Sequence, residues 1–457
     1  VVNSSIELAG LVQPNDGTTV GVELETHLYD RETFRIVPDG GSRFLAEYEN
    51  YSDRWVSGFT SESKASMVEV NSQTIHPSDL PKAIGQMRRS VYVLGARHGL
   101  VPVFSGMPLN GADTLPVSGG PAYQSFLLPY PAEMPRNDTA GVHVHVGIDN
   151  ESVRVDTYNR LRAFLPVLVA YSAGSAINRG QISHAANSRT LTYDMFETAV
   201  PDPGPFDSLD DWTQWCKTKV ADARVSADDY PLEKLLTDPA PGFEKKTAVN
   251  LVYPLMRMHP KYPTIEFRMP AVGLSPQDDL FIASVVTGIT RQVVTDIANG
   301  VAKPAIPDDL NADLLRAKVG GGLSQVRDPF DMRRYVSAEV AMAKTVEHIA
   351  SALVSVGIPF AEVREMHDAI RTRGHCRDRS VFAVTNSAES SESAARFMRG
   401  DMLSDVDALV ATRAIHRANL TSTLSEGRWS KAAMPPVGIC ADMSPDIGSS
   451  QAAGLEG

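Results

Sequence analysis

The sequence predicts an α+β protein built on an antiparallel sheet, and two observations carry that expectation. Four short segments alternate strictly between apolar and polar residues, and the chain beyond about residue 277 reads as helix after helix. The first strand is expected over Thr18–Asp30, where Val22, Leu24 and Leu28 share one face and Glu23, Glu25 and His27 the other. Arg31–Gly41 reads as a hairpin or loop. A second alternating run covers Ser61–Thr74, with Val68 and Val70 opposed to Glu69 and Asn71. His76-Pro77-Ser78-Asp79 then stops the strand and caps a helix over Leu80–His98, closed near Gly99.

Leu100–Phe104 is a short buried strand, and Gly106–Pro135 is mostly loop. In Gly141–Ile148, His143 and His145 oppose Val142, Val144 and Val146. One long helix is expected from about Val153 to Ala176, kinked at Pro166, followed by irregular chain over 178–245 that could face a substrate. The last alternating strand is Thr264–Met269, with Glu266 and Arg268 opposed to Ile265, Phe267 and Met269. Helices follow at about 277–299, 309–317, 330–356, 359–373 and 401–418, broken by Gly320-Gly321-Gly322 and the serine-rich run Ser387–Ser393. The expected division is an arm over 1–16, one catalytic domain over 17–425 and a tail over 426–457.

Composition narrows the function. With 43 Lys plus Arg against 55 Asp plus Glu the formal charge is −12, which disfavours nucleic acid and anionic membrane as partners. The longest apolar stretch, Ala163–Ile177, falls short of a bilayer span, and no charged-then-apolar leader is visible, so a cytoplasmic location is expected. Three widely spaced cysteines, Cys216, Cys376 and Cys440, give neither a disulfide framework nor paired metal spacing. The arginines Arg371, Arg373, Arg377 and Arg379 read as a solvated helix end.

The polar faces of the four strands carry the chemistry. Taken singly each is an ordinary solvated face, but such faces mix Thr, Lys, Ser and Gln, whereas these hold Glu, His and Arg and almost nothing else. Carboxylates brought together on neighbouring strands need cations between them, and hard oxygen ligands point to Mg²⁺ or Mn²⁺ rather than zinc. Such a sheet suits a nucleoside triphosphate, although the chain has neither a Walker loop nor G-x-G-x-x-G.

Four blocks, in order, resemble the glutamate–cysteine ligase family in its carboxylate–amine ligase branch. They are Gly21-Val22-Glu23-Leu24-Glu25, Glu62 with Glu69-Val70-Asn71-Ser72, Gly141–Gly147, and Thr264–Arg268; Ser188-Arg189 and Arg257 are weaker matches. The resemblance implies a glutamine-synthetase-like fold, with the sheet curved into a funnel and helices packed outside. It implies an ATP-dependent ligase that phosphorylates a carboxylate, most directly the γ-carboxyl of glutamate, and passes the acyl group to cysteine or another amine. By position, Glu23, Glu25, Glu62, Glu69, His143 and Glu266 would hold Mg²⁺ or Mn²⁺. Arg268 and Arg189 would hold phosphate or its developing charge, and Arg257 would clamp ATP or a substrate carboxylate.

Expected partners are a small amino acid and an amine acceptor, in a chain that could form a homo-oligomer. Ala271 stands where the family commonly has Asp, and Leu251–Leu255 replaces a Trp-rich approach, so the acceptor is less fixed than the ligation. His27 suits a structural role; His145 and Asn71 could position substrate or a ligand carboxylate. The competing reading is a zinc amidohydrolase, because H-x-H also opens the metal site of barrel hydrolases.

Overall fold

The computed structural model describes residues 8, 10–119, 123–124, 130, 133–223, 247–259 and 261–374. Most of the N-terminal half of the expected arm, Cys376, Cys440, Arg377, Arg379, the 401–418 helix and the 426–457 tail lie outside the described residues.

The first strand, β1 (Val20–Asp30), is eleven residues long and organises the sheet around it. β2 (Val56–Ser61), β3 (Met67–Ser72), β4 (Leu100–Val103) and β5 (Val142–Gly147) follow in the chain. Two-residue strands β6 (Ile177–Asn178) and β7 (Gln181–Ile182) form a separate hairpin, and β8 (Met256–Met258) and β9 (Thr264–Phe267) complete the main sheet. Its order is β2-β3-β1-β5-β9-β8, with β4 also on β1, and every pairing is antiparallel. On one edge β1 pairs with β3 through Glu23–His27. On the other it meets β5 through Val20–Leu24 and β4 through His27–Asp30.

The apolar face is the core: Val22, Leu24, Val68, Val70, Val144 and Phe267 are all buried. Between β1 and β2 lies α1 (Gly40–Tyr48), and α2 (Leu80–Ala96) packs on β3 and β4. The central helix is α8, Pro276–Ala298, reached after α3 (Glu151–Leu161), α4 (Leu165–Tyr171), α5 (Ser188–Tyr193), α6 (Leu209–Asp222) and α7 (Ala248–Leu251). α8 packs against α2, α3 and β5. It is long and apolar enough to cross a membrane, but 78% of its apolar window is buried, as befits a core helix. Asp278 caps its start, accepting from the backbone N–H and the hydroxyl of Ser275 at 2.8 Å each.

Several expectations change. The alternating run at 61–74 is the end of β2, a turn and then β3, because Glu62–Ser66 leaves the sheet before Met67 re-enters it. The helix expected over 153–176 is two helices joined by a 3₁₀ turn at Arg162–Phe164. Pro166, in the first turn of α4, cannot donate to the preceding turn, so the ladder is interrupted there. Within the segment expected to be irregular over 178–245, residues 178–223 are more regular than expected, and 224–245 lie outside the described residues. Arg179 (φ 51°) and Gly180 (φ 78°) form the tight turn of the β6–β7 hairpin, and α6 buries Trp212, Cys216 and Val220 at helical spacing. Burial pushes the Cys216 thiol up to about 12, which suits a packing role.

The 330–356 helix also changes. After α9 (Leu310–Gly320), the hairpin β10 (Gln325–Asp328) and β11 (Asp331–Ser337) occupies its first turns. Only then come α10 (Ala338–His348), α11 (Ala350–Ser355) and α12 (Phe360–Arg373). On α12, the exposed Arg371 pairs with Glu339 and Asp368.

Candidate active site

Strand register decides which polar side chains meet. Glu23 lies opposite Asn71 on one side and His143 on the other, Glu25 opposite Glu69, and Glu266 between His145 and Arg257. Period-2 alternation puts these residues on the face opposite the core. Much of that face is closed to solvent: Glu25, His143, His145 and Glu266 are all buried, while Glu23, Glu69 and Asn71 are half-buried. Glu62 reaches it from the turn after β2, where its carboxylate accepts from the Ser63 backbone N–H at 2.9 Å.

At the centre His143 Nδ1 is 2.8 Å from Glu23 Oε2 and its Nε2 is 3.4 Å from Glu25 Oε1. His145 Nε2 lies 3.1 Å from Glu23 Oε1. Burial alone would raise the Glu23 pKa, but hydrogen bonds from His143 and His145 hold it below the ordinary value. On the β8–β9 side, Glu266 accepts from Arg257 Nε at 2.5 Å and also pairs with Arg268. Burial opposes its ionised form, yet the two guanidinium groups pull its pKa well below the usual range.

The β2–β3 side has the opposite problem. Burial, and then the charge of Glu25, push Glu62 up to about 7; burial and the charges of Glu23, Glu62 and Glu25 raise Glu69 well above its ordinary value. Glu62 and Glu69 therefore hold their protons more tightly than free carboxylates do, and an entering cation would displace them.

Two sets of donors could hold such a cation. Ligand atoms of Glu23, His143 and Glu266 lie within 4.8 Å of one another, as do those of Glu25, Glu69 and His143. Carboxylate oxygens with a single imidazole fit hard divalent ions. Five of the six residues expected as metal ligands fall in these two sets, with Arg257 and Arg268 beside them; Glu62 is in neither set and interacts with Glu25 and Glu69. Arg189 arrives from α5 underneath, fully buried against His143.

His27 is shown in another setting. Its ring nitrogens lie 2.9 Å from Ser66 Oγ and 2.9 Å from the Asp138 carbonyl. Burial and nearby Lys64 push its pKa down to about 3, so it is a neutral buried strut. Asn71 donates to Thr60 Oγ1 at 3.0 Å, and Thr60 in turn donates to Glu69 Oε1 at 2.7 Å. Thr60 was not visible in advance, because V-S-G-F-T-S does not alternate cleanly. Tyr193 was also missed, although its i+4 spacing from Arg189 was a usable signal: the Arg189 guanidinium lies 5.1 Å from the Tyr193 ring centre.

Comparison with known proteins bears on this face. A family profile described as glutamate–cysteine ligase family 2 matches residues 19–394. A provisionally named glutamate–cysteine ligase 2-1 of Streptomyces avermitilis is 27% identical over 350 residues, covering 74% of this chain and 87% of its own. A provisionally named glutamate–cysteine ligase 2-3 of Mycolicibacterium smegmatis is 26% identical over 381 residues, covering 80% and 94%. Among solved structures, a glutamate–cysteine ligase of Francisella tularensis in complex with AMP aligns with a TM-score of 0.55 at 10% identity, covering 89% of this chain and 96% of that one. A bifunctional glutathione synthetase of Pasteurella multocida aligns at 0.52 and 12% identity, covering 88% and 54%. The structural likenesses speak for the fold.

Proposed function

This chain belongs to glutamate–cysteine ligase family 2, and we propose that it is an ATP-dependent carboxylate–amine ligase acting through an acyl phosphate. The carboxylate substrate is an amino acid, with the γ-carboxyl of glutamate first, and the acceptor is cysteine or another amine. Residues 17–425 act as one catalytic unit in this reading, which suits the reducing, ATP-rich cytoplasm. The observation that carries it is the two-sided face: a carboxylate side that needs cations, and beside it two guanidinium groups converging on Glu266.

A carboxylate is a poor electrophile, so amide formation needs a leaving group. In the reading proposed, a carboxylate oxygen of the substrate attacks the γ-phosphorus of ATP and ADP leaves. The amine then attacks the acyl carbon, loses a proton and expels phosphate. Neither step needs a side-chain nucleophile; both need anions brought together. Arg257 and Arg268 offer permanently charged planar forks that match phosphate oxygens. Glu23, Glu25, Glu62, Glu69, His143 and Glu266 would hold Mg²⁺ or Mn²⁺, which supplies charge neutralisation to the phosphates when bound. His143 and His145 orient Glu23. The hydrolase alternative wants H-x-H on an early strand of a parallel β-α barrel; here it lies on an inner strand of an antiparallel sheet.

The test is ADP release with Mg²⁺-ATP across carboxylic amino acids, with and without cysteine and other amines. Glutamate plus an amine is expected to release ADP. No release with any pair, together with tightly bound zinc, would turn the assignment to the hydrolase.

A second expectation concerns protons. With Glu62 at about 7 and Glu69 raised, Mg²⁺ entering at pH 7 displaces protons from the carboxylates it binds. Binding should weaken as pH falls below 7, and titration heats should differ between buffers of different ionisation enthalpy. Heats independent of buffer would contradict the raised carboxylates.

A further inference from the structure

The family resemblance assigns Arg189 to phosphate, but its surroundings indicate another task. The side chain is fully buried. Nη1 donates to the backbone carbonyl of Arg268 at 2.6 Å, and Nη2 donates to His143 Nε2 at 3.2 Å. The guanidinium also lies against Gly141. A β-carbon built on Gly141 would stand 2.1 Å from Nη2, 2.5 Å from Cζ and 2.7 Å from Nε, so only hydrogen fits between them.

We propose that Arg189 is a positioning residue that seats the His143 ring from behind, keeping Nε2 the acceptor and the Nδ1 proton on Glu23, so that the ring orients the carboxylates that would bind metal, and that Gly141 is glycine to make room for it. The two strands of the proposal meet in one short segment of chain. Gly141 and His143 are two residues apart and point to the same face. The Gly141 backbone N–H donates to Glu25 Oε2 at 2.5 Å, while His143 stands between Glu23 and Glu25. The tilt of one imidazole thus sets the spacing of both donor groups, and Arg189 sets the tilt. Its second bond, to the Arg268 carbonyl, ties that setting to the end of β9. Reaching a phosphate would require Arg189 to give up both bonds and leave its cavity.

This inference rests on the divalent-metal reading of the face. It is tested by nucleotide-free Mn²⁺ binding, followed by electron paramagnetic resonance, whose line shape reports the geometry of the carboxylate ligands, in the wild type, Arg189→Lys, Gly141→Ala and the double variant. Lysine keeps the charge but cannot span His143 and the Arg268 carbonyl together. Each single variant is expected to weaken Mn²⁺ binding about tenfold to a hundredfold and to alter the Mn²⁺ line shape, as loss of the group that orients a ligating carboxylate does. The double variant should bind no more weakly than Gly141→Ala alone, because both changes break the same contact.

Thermal unfolding of each variant checks that it is folded. Tyr193→Leu, which removes the ring beneath the guanidinium, gives a milder third arm. A phosphate clamp would leave nucleotide-free Mn²⁺ binding unchanged in Arg189→Lys, and additive effects in the double variant would show two separate roles; either result overturns the inference. A wild type that binds no Mn²⁺ would instead overturn the metal reading, and this inference with it.

Discussion

Glu266→Gln is expected to abolish ADP release and also to destabilise the protein, whereas Glu23→Gln should abolish release and leave stability nearly unchanged. The difference lies in what each carboxylate holds. Glu266 is fully buried and is the shared anion between Arg257 and Arg268. Glutamine removes the charge and leaves two largely enclosed guanidinium groups, 11% and 16% exposed, side by side with neither able to shed its proton. Breaking a buried pair in this way costs about 3–5 kcal/mol. Glu23 is more open, with 28% of its side chain exposed, and its partners are histidines that can give up a proton. Denaturant unfolding of both variants beside an ADP assay separates the roles. A Glu266→Gln protein as stable as the wild type would remove Glu266 as the structural keystone; one that still turned over would remove it from the site.

The face that carries this chemistry was legible because alternation is a backbone property: period 2 places Glu23 with Glu25, His143 with His145 and Glu266 with Arg268 whatever the sheet does next. Register was not legible. That Glu25 meets Glu69, and that His145 rather than His143 lies opposite Glu266, depends on hydrogen bonds between strands far apart in the chain. Burial of the polar face was equally hidden, since nothing in G-V-H-V-H-V-G says that both its faces are covered.

The errors in secondary structure have local causes. D-M-R-R-Y-V-S contains good helix formers, yet the chain pairs it with Gln325–Asp328 as a hairpin. Ser61–Thr74 alternates well enough to hide a turn at its centre. Arg189 was found by motif, but motif carries no depth, and its burial behind His143 changes what it can touch.

The second large effect is expected far from the chemistry. Arg88 on α2 and Asp279 on α8 are 191 positions apart, and Arg88 Nε donates to Asp279 Oδ2 at 2.9 Å. Arg88 Nη2 donates to the same oxygen at 2.5 Å and to the Gly273 carbonyl at 2.6 Å, while the Gly273 N–H donates to Asp279 Oδ1 at 2.7 Å. The pair therefore locks the two core helices to the chain leaving β9. Both residues are buried, and removing either partner should cost about 3–5 kcal/mol.

The two removals should not be equal. Asp279→Asn strands an arginine that cannot lose its charge, whereas Arg88→Met strands a carboxylate that can take a proton. Burial already pushes Asp279 up to about 6 in spite of Arg88. Without Arg88 its pKa rises further above the unfolded value. The folded state then binds more protons than the unfolded one, and the stability of Arg88→Met falls as pH rises. Its deficit against the wild type should therefore grow between pH 6 and pH 8. Replacing both residues by apolar ones of similar size should recover much of the loss, because the penalty comes from the unpaired charge rather than from the absence of the pair. Unfolding curves for the two single variants and the double variant at pH 6 and pH 8 would decide it, and equal, pH-independent losses would show that packing against Phe104, 4.0 Å from the Arg88 guanidinium, matters more than charge.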